Sequence, residues 1–336
     1  TDEERQVAIE AIEVITGYWK SRAVSCAASL NIADYVTEKP VSIDVLAEKT
    51  GANSHALHRL MRALASIGFF KEVGERHFSI TPLAATLKTN AKNSVKYTAI
   101  SFGHDEYPGW ITLEETIKTG KSGFLQKYGI GYYDSLKDKP VEFENFVHMC
   151  EDYTRLFNMN MTSYYDFTQF KHIIDCAGNN GEFLINILEH VPHAKGTVFD
   201  EAHAIEAAKK RVAQSSVKDR MSFEAGSFLD SVPAGGDCYM IKSAVVDWLD
   251  DAAVKIFHNV KKHLKPGNRF LVIQSVIPSG NEYHPGKWTD LLYQVFTTGI
   301  ERTRKETEEL CRKAGMKLVK IIPTDYPLFD IIEMTV

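Results

Sequence analysis

From His172 onward, short apolar runs alternate with amphipathic stretches of helical length. The runs are Ile173-Ile174, Thr197-Val-Phe199, Met221-Ser-Phe223, Cys238-Tyr-Met-Ile241 and Phe270-Leu-Val-Ile273, and the helical stretches are Gly181 to His190, Ala204 to Gln214 and Asp251 to Leu264. Helices threaded between short buried strands require right-handed crossovers and a mainly parallel, doubly wound sheet. A last hairpin, Lys317 to Ile322 with Phe329 to Thr335, closes it.

The first hundred residues are built differently. Ile9, Ile12, Ile15 and Trp19 fall at helical spacing, and Ala23 to Tyr35 continues as an apolar helix with small residues. Ser42 to Gly51 reads as a helix with Ser42 as N-cap and Gly51 as C-cap, and Asn53-Ser54 caps a second helix, Ala56 to Ile67, that stops at Gly68. Phe69 to Val73 and His77 to Ile80 around Gly74 form a hairpin, completing a winged-helix outline. Its second helix offers only His58, Arg59 and Arg62 as basic groups. Packing or dimerisation therefore fits it better than DNA. Residues 101–165 are aromatic-rich and helical, and the expected division is 1–100, 101–165 as a helical linker and substrate lid, and 166–336.

Composition narrows the function. Lys and Arg number 39 against 44 Asp and Glu, a net of −5, which argues against a protein that neutralises nucleic-acid phosphates. The five cysteines form no C-x-x-C pair, and the twelve histidines form no ligand-spaced cluster, so no metal is expected. No run is long enough to span a membrane and no basic leader precedes an apolar stretch, which predicts a cytoplasmic protein without a membrane partner.

Asp175-Cys-Ala177-Gly178-Asn179-Asn180-Gly181-Glu182 leads from the first strand through a Gly/Asn turn into a helix. Such a turn either brings backbone close to a ligand at a helix N-terminus or is simply a structural connection. The second strand ends at Asp200, spaced to hold ribose hydroxyls.

Taken together, the ordered motifs resemble those of the class I S-adenosylmethionine-dependent small-molecule O-methyltransferases of the plant caffeate and bacterial polyketide type, over nearly the whole chain. Val41 to Pro82 resembles the family's winged-helix-like dimerisation domain, Asp175 to Gly181 its glycine motif, and Phe199-Asp200-Glu201-Ala202 its F-D-L-P motif. Ile241-Lys242 through Val246-Asp247-Trp248-Leu-Asp250 resembles its K-x-x-x-H-D-W-x-D motif, and Gly299-Ile300-Glu301-Arg302-Thr303 its G-x-E-R-T motif. The resemblance implies a Rossmann-like doubly wound domain behind a mainly helical winged-helix-like dimerisation domain, a homodimer and a small-molecule substrate. It also implies that S-adenosylmethionine or S-adenosylhomocysteine is held by Asp175, Gly178, Asn180, Gly181, Asp200, Glu201, Ser227, Phe228 and Lys242.

The departures bear on chemistry. The family's histidine base is here Val246, and the acid that orients it is Gln274; Glu301 keeps the second acidic position. An isopropyl group accepts no proton, and a phenol with pKa near 10 needs a base at neutral pH. Three readings follow: a methyltransferase for a natural-product acceptor that needs no such base, working through in-line proximity; a non-methylating enzyme such as a pericyclase, hydroxylase or decarboxylase; or a non-catalytic ligand-binding partner.

Glu301, Asp247, His104 and Asp152 are the candidate catalytic groups, each with a bland alternative: Asp247 as a helix cap, His104 as a surface histidine, Asp152 as a solvated acid. Met149, Tyr153, Val246, Gln274, Leu292 and Phe296 are the candidate substrate-binding residues, with core packing the alternative for the last two. Arg302 and Arg304 either clamp an acidic substrate or pair with neighbours.

Overall fold

A computed structural model describes residues 1–157 and 161–336, which divide into two compact units. Residues 101–165 are shared between these units, and 158–160 lie outside the described residues.

One unit comprises Thr1–Ile111 and Tyr133–Leu156. Its winged helix forms as the caps foretell. Ser42 accepts the Val45 N–H at the start of helix Ile43–Thr50, Gly51 ends it at φ 67°, and Asn53 accepts the Ala56 N–H at the start of helix Ser54–Ser66. The wing pairs Lys71–Glu72 with His77–Ser79, and Val41–Ser42 adds a third strand too short to show periodicity. Ile32, Ile43, Leu46, Met61, Leu64, Phe70 and Phe78 are fully buried between these elements. The first helix, Asp2–Ile15, buries nothing within the chain, and Val7, Ile12, Val14, Ile15 and Trp19 stay exposed.

The other unit comprises Thr112–Tyr132 and Phe157–Val336. Its strands are β1 (His172–Cys176), β2 (Lys195–Asp200), β3 (Met221–Ala225), β4 (Cys238–Lys242), β5 (Arg269–Gln274), β6 (Lys317–Ile322) and β7 (Asp330–Thr335). They lie in the order β6-β7-β5-β4-β1-β2-β3, parallel except that β7 runs antiparallel to both neighbours. The chain moves outward from β1 to β3 and then crosses back to β4, so the carboxyl ends of β1 and β4 border the switch point where ligands bind such sheets. Helix Asp250–Lys261 buries Ala253, Ile256, Phe257 and Val260 in one cluster with Ile174, Tyr239, Ile241, Phe270 and Val272, and its buried Asn259 donates to the Phe228 and Leu229 carbonyls. Among the described residues no helix is long and apolar enough to cross a membrane.

Candidate active site

The turn after β1 is held in an unusual backbone shape. Ala177, Asn179 and Gly181 have φ of 66°, 48° and 80°, and the Ala177 N–H donates to the Phe199 carbonyl at 2.8 Å. Alanine and asparagine thus take left-handed conformations that glycine would adopt more cheaply. Gly178 is there for space: an added Cβ would stand 2.9 Å from Val198 Cγ1 and 3.0 Å from Asp175 Oδ2.

Asp200 ties this turn to the end of β2. Its Oδ2 accepts the Asn179 N–H at 2.8 Å and its Oδ1 the Glu201 N–H at 2.7 Å; burial raises its pKa and these two N–H groups oppose the rise. Asp175 is 1% exposed and neither of its oxygens has a hydrogen-bond partner. Burial pushes it up to about 7, opposed by Lys242. The Lys242 ammonium lies over the rings of Phe329 and Phe183, at 5.2 and 5.7 Å from their centroids. Two orphaned, buried carboxylate oxygens beside a glycine-shaped turn are what a polar ligand with donors, such as an amino acid or nucleoside, would complete. Asn180 Oδ1 accepts the Glu182 N–H at 3.1 Å, just ahead of the N-cap Gly181, Phe228 meets Trp248 edge to face at 6.3 Å, and Glu201 points to the surface 3.5 Å from His203.

Val246 lies beyond β4 in a short turn, Val245–Asp247, and is 1% exposed. Its carbonyl accepts the Ile300 N–H at 2.7 Å, and an added Cβ on Gly299 would stand 2.4 Å from that same oxygen. Only glycine lets the two segments come this close. Arg302-Thr303 then pairs in parallel with Val276-Ile277, fixing Glu301 next to the turn. Glu301 is 5% exposed; its N–H donates to Asp290, its Oε1 accepts the Thr289 hydroxyl at 3.1 Å, and its Oε2 has no partner. Burial pushes its carboxyl up to about 8, with the neighbouring Asp290 and Asp247 adding to the rise and Thr289 and Arg302 opposing it. Gln274, at the end of β5, is 3% exposed and its Oε1 is likewise unpartnered. Opposite it on β7, burial pushes Asp330 up to about 6.

Several expectations are corrected. Asp152 is 2% exposed, but Thr98 donates to its Oδ2 from both N–H and hydroxyl, and Arg155 engages its Oδ1. It is therefore not a solvated acid: it ties helix Pro140–Phe157 to Thr98, and burial raises its pKa against these hydrogen bonds. Arg302 is no substrate clamp: it is 1% exposed and donates to Asp250, to the Trp248 carbonyl and to the Ile300 carbonyl, while Arg304 pairs with Glu308. Phe296 is buried and packs against Phe124 and Tyr132 at 5.6 and 5.0 Å. Asp247 is not the N-cap of the next helix, since that place belongs to Leu249.

The remaining candidates fall as follows. His104 is 61% exposed and hydrogen-bonds Asp105, whose other oxygen accepts from Asn145. Met149 is buried, and burial pushes Tyr153 up to about 12. These three belong to the first unit, whereas Val246, Asp247, Gln274, Leu292 and Glu301 belong to the second, with Leu292 half-buried and Ser227 accepting the Leu229 N–H. Thr289, Asp290, Phe183 and Phe329 were not expected from sequence; their roles arise from long-range pairing that leaves no local signal. Among the described residues no His, Cys, Asp and Glu cluster could hold a metal.

Comparison with known proteins agrees with this architecture. The O-methyltransferase domain profile matches residues 110–317, and the O-methyltransferase dimerisation domain profile matches residues 12–90. The chain is 36% identical to the phenazine O-methyltransferase PhzM of Lysobacter antibioticus, covering 93% of this chain and 92% of that protein. It is 29% identical to the 8-amino-8-demethylriboflavin N,N-dimethyltransferase of Streptomyces davaonensis, covering 88% and 86%. The crystal structure of LaPhzM superposes with a TM-score of 0.92 at 34% identity, covering 98% and 99% of the two chains. With a dimerisation domain ahead of a seven-stranded sheet whose first turn and Glu301 segment carry the motifs, the chain belongs to the O-methyltransferase family.

Proposed function

We propose that this enzyme is an S-adenosylmethionine-dependent methyltransferase whose small natural-product acceptor needs no imidazole base. One observation supports the reading: Val246, at the motif position that resembles the family's histidine base, is buried and joined through its carbonyl to the Glu301 segment. A hydroxyl with an ordinary phenolic pKa would stay protonated there at neutral pH. The nucleophile must therefore be competent as it arrives.

The residues present suit the cofactor. Asp200 would take the ribose hydroxyls, the Ala177–Gly181 turn would pass beside the nucleoside, and Asp175 with Lys242 would meet its amino-acid end. The cofactor supplies a methyl group on a positively charged sulfur. The chain supplies alignment and a dry setting, and alignment at near-attack distance accounts for much of the acceleration in an in-line displacement. Glu301 and Asp247 would be the polar groups that act on the acceptor. The exposed apolar face of Asp2–Trp19 supports a homodimer, which light scattering would test.

The test is incubation of the purified enzyme with methyl-labelled S-adenosylmethionine and extracts rich in aromatic metabolites. Label transferred to a small molecule, with one S-adenosylhomocysteine formed per methyl, supports the reading. A chemically changed metabolite carrying no label would overturn it in favour of non-methylating chemistry.

A further inference from the structure

The groups around Val246 share one electrostatic character. Glu301 presents an unpartnered buried carboxylate oxygen, Gln274 an unpartnered buried carbonyl oxygen, and Asp247 a half-buried carboxylate in the next position of the turn. Asp290 adds a third acid behind Glu301. Arg302, the cation that acts on Glu301, is already engaged by Asp250 and by the Trp248 and Ile300 carbonyls. The site is thus rich in acceptor oxygens and in acids, with Glu301 holding its proton until pH approaches about 8, and Val246 adds no cationic or donor group to them.

A phenolate would add a further negative charge beside acids whose own ionisation is already disfavoured, and with no imidazole to form it the phenol would stay neutral. A neutral nitrogen has the opposite need: it has no proton to lose, and it becomes positive as the methyl arrives. We propose that the methylated atom is a neutral heteroaromatic ring nitrogen, and that Glu301 and Asp247 stabilise the cation formed on it. This rests on the methyltransferase reading above and narrows its substrate class. The nitrogen lone pair forms the new N–CH3 bond as the S–CH3 bond breaks, the bonding pair stays on sulfur, and the positive charge passes from sulfur to nitrogen. No proton is transferred.

The wild-type enzyme saturated with S-adenosylhomocysteine is titrated with N-methylquinolinium, a fluorescent product-like cation, and with its isosteric hydrocarbon methylnaphthalene. The cation is expected to bind about tenfold or more tightly, the worth of one charge-assisted contact in a buried site. That preference should fall in Glu301→Gln and in Asp247→Asn. In the wild type it should grow as pH rises through about 8, where Glu301 ionises among Asp247, Asp290, Arg302 and Thr289, and stay flatter in Glu301→Gln. Equal or weaker binding of the cation, or none, would overturn the proposal.

A second arm separates it from the reading it rests on. Quinoline and naphthol are offered with methyl-labelled S-adenosylmethionine, and N-methylation of quinoline is expected, with kcat falling more than KM rises in Glu301→Gln. Labelled naphthol without labelled quinoline would refute the nitrogen assignment and leave methyl transfer standing. Cation preference without methyl transfer to any acceptor, extracts included, would instead refute the methyltransferase reading.

Discussion

Glu301 should make the folded protein lose stability as pH rises, and Glu301→Gln should abolish that loss. Its carboxyl is raised from the ordinary 4.5 to about 8, chiefly by burial. Over that interval the folded state holds the proton and the unfolded chain releases it. The stabilisation is complete below 4.5 and is lost progressively until pH passes 8. At about 1.4 kcal/mol for each pH unit, the whole interval is worth about 5 kcal/mol. For a chain of 336 residues this corresponds to roughly 7 °C in melting temperature. Glutamine keeps an oxygen to accept from Thr289 and carries no charge at any pH. Asp175 and Asp330, raised to about 7 and about 6, push the wild type in the same direction, so the difference between the two proteins isolates Glu301. Melting curves of the ligand-free proteins from pH 5 to pH 9 are the assay. The two should nearly coincide at pH 5, with Glu301→Gln the more stable by about 5 kcal/mol at pH 9. A constant difference across that range would refute the burial argument.

Val246→His restores an imidazole beside Glu301, and labelled methyl transfer to naphthol should appear; a folded, cofactor-binding variant that gains none would remove the base argument. Gly299→Ala drives a methyl group to within 2.4 Å of the Val246 carbonyl, so the segment must shift. Overpacking of this kind costs roughly 1–3 kcal/mol, and methyl transfer should fall more than cofactor affinity, as calorimetry alongside turnover would show. Asp200→Ala removes a charge-assisted acceptor worth roughly 1.5–3 kcal/mol, so S-adenosylmethionine affinity should drop at least tenfold by calorimetry; an unchanged affinity would contradict the ribose assignment.

Much of the fold was legible because it is written locally. Ser42, Gly51 and Asn53 cap helices through bonds spanning three or four residues, and the strand–turn–helix at Asp175 to Glu182 depends on its own backbone shape. The short strands Val41–Ser42 and Arg302–Thr303 escaped because two residues carry no period and exist only through a distant partner. The site was legible as a set of positions but not as a set of roles. Asp152 and Arg302 have the residue types of a base and a clamp, and only the fold binds each to a partner more than fifty residues away, Thr98 and the Trp248 carbonyl.

Alternating hydrophobicity, turn chemistry and motif order therefore determined by themselves that the chain builds a doubly wound sheet behind a winged helix, and that an imidazole is absent at Val246. Only the tertiary structure decided which polar groups remain available there. Glu301 keeps an unpartnered oxygen because Thr289 and Asp290 satisfy the rest of it, and Arg302 is unavailable because Asp250 and the Trp248 carbonyl hold it. Side-chain type is fixed by sequence, but free hydrogen-bonding capacity and a raised pKa follow from burial and long-range neighbours.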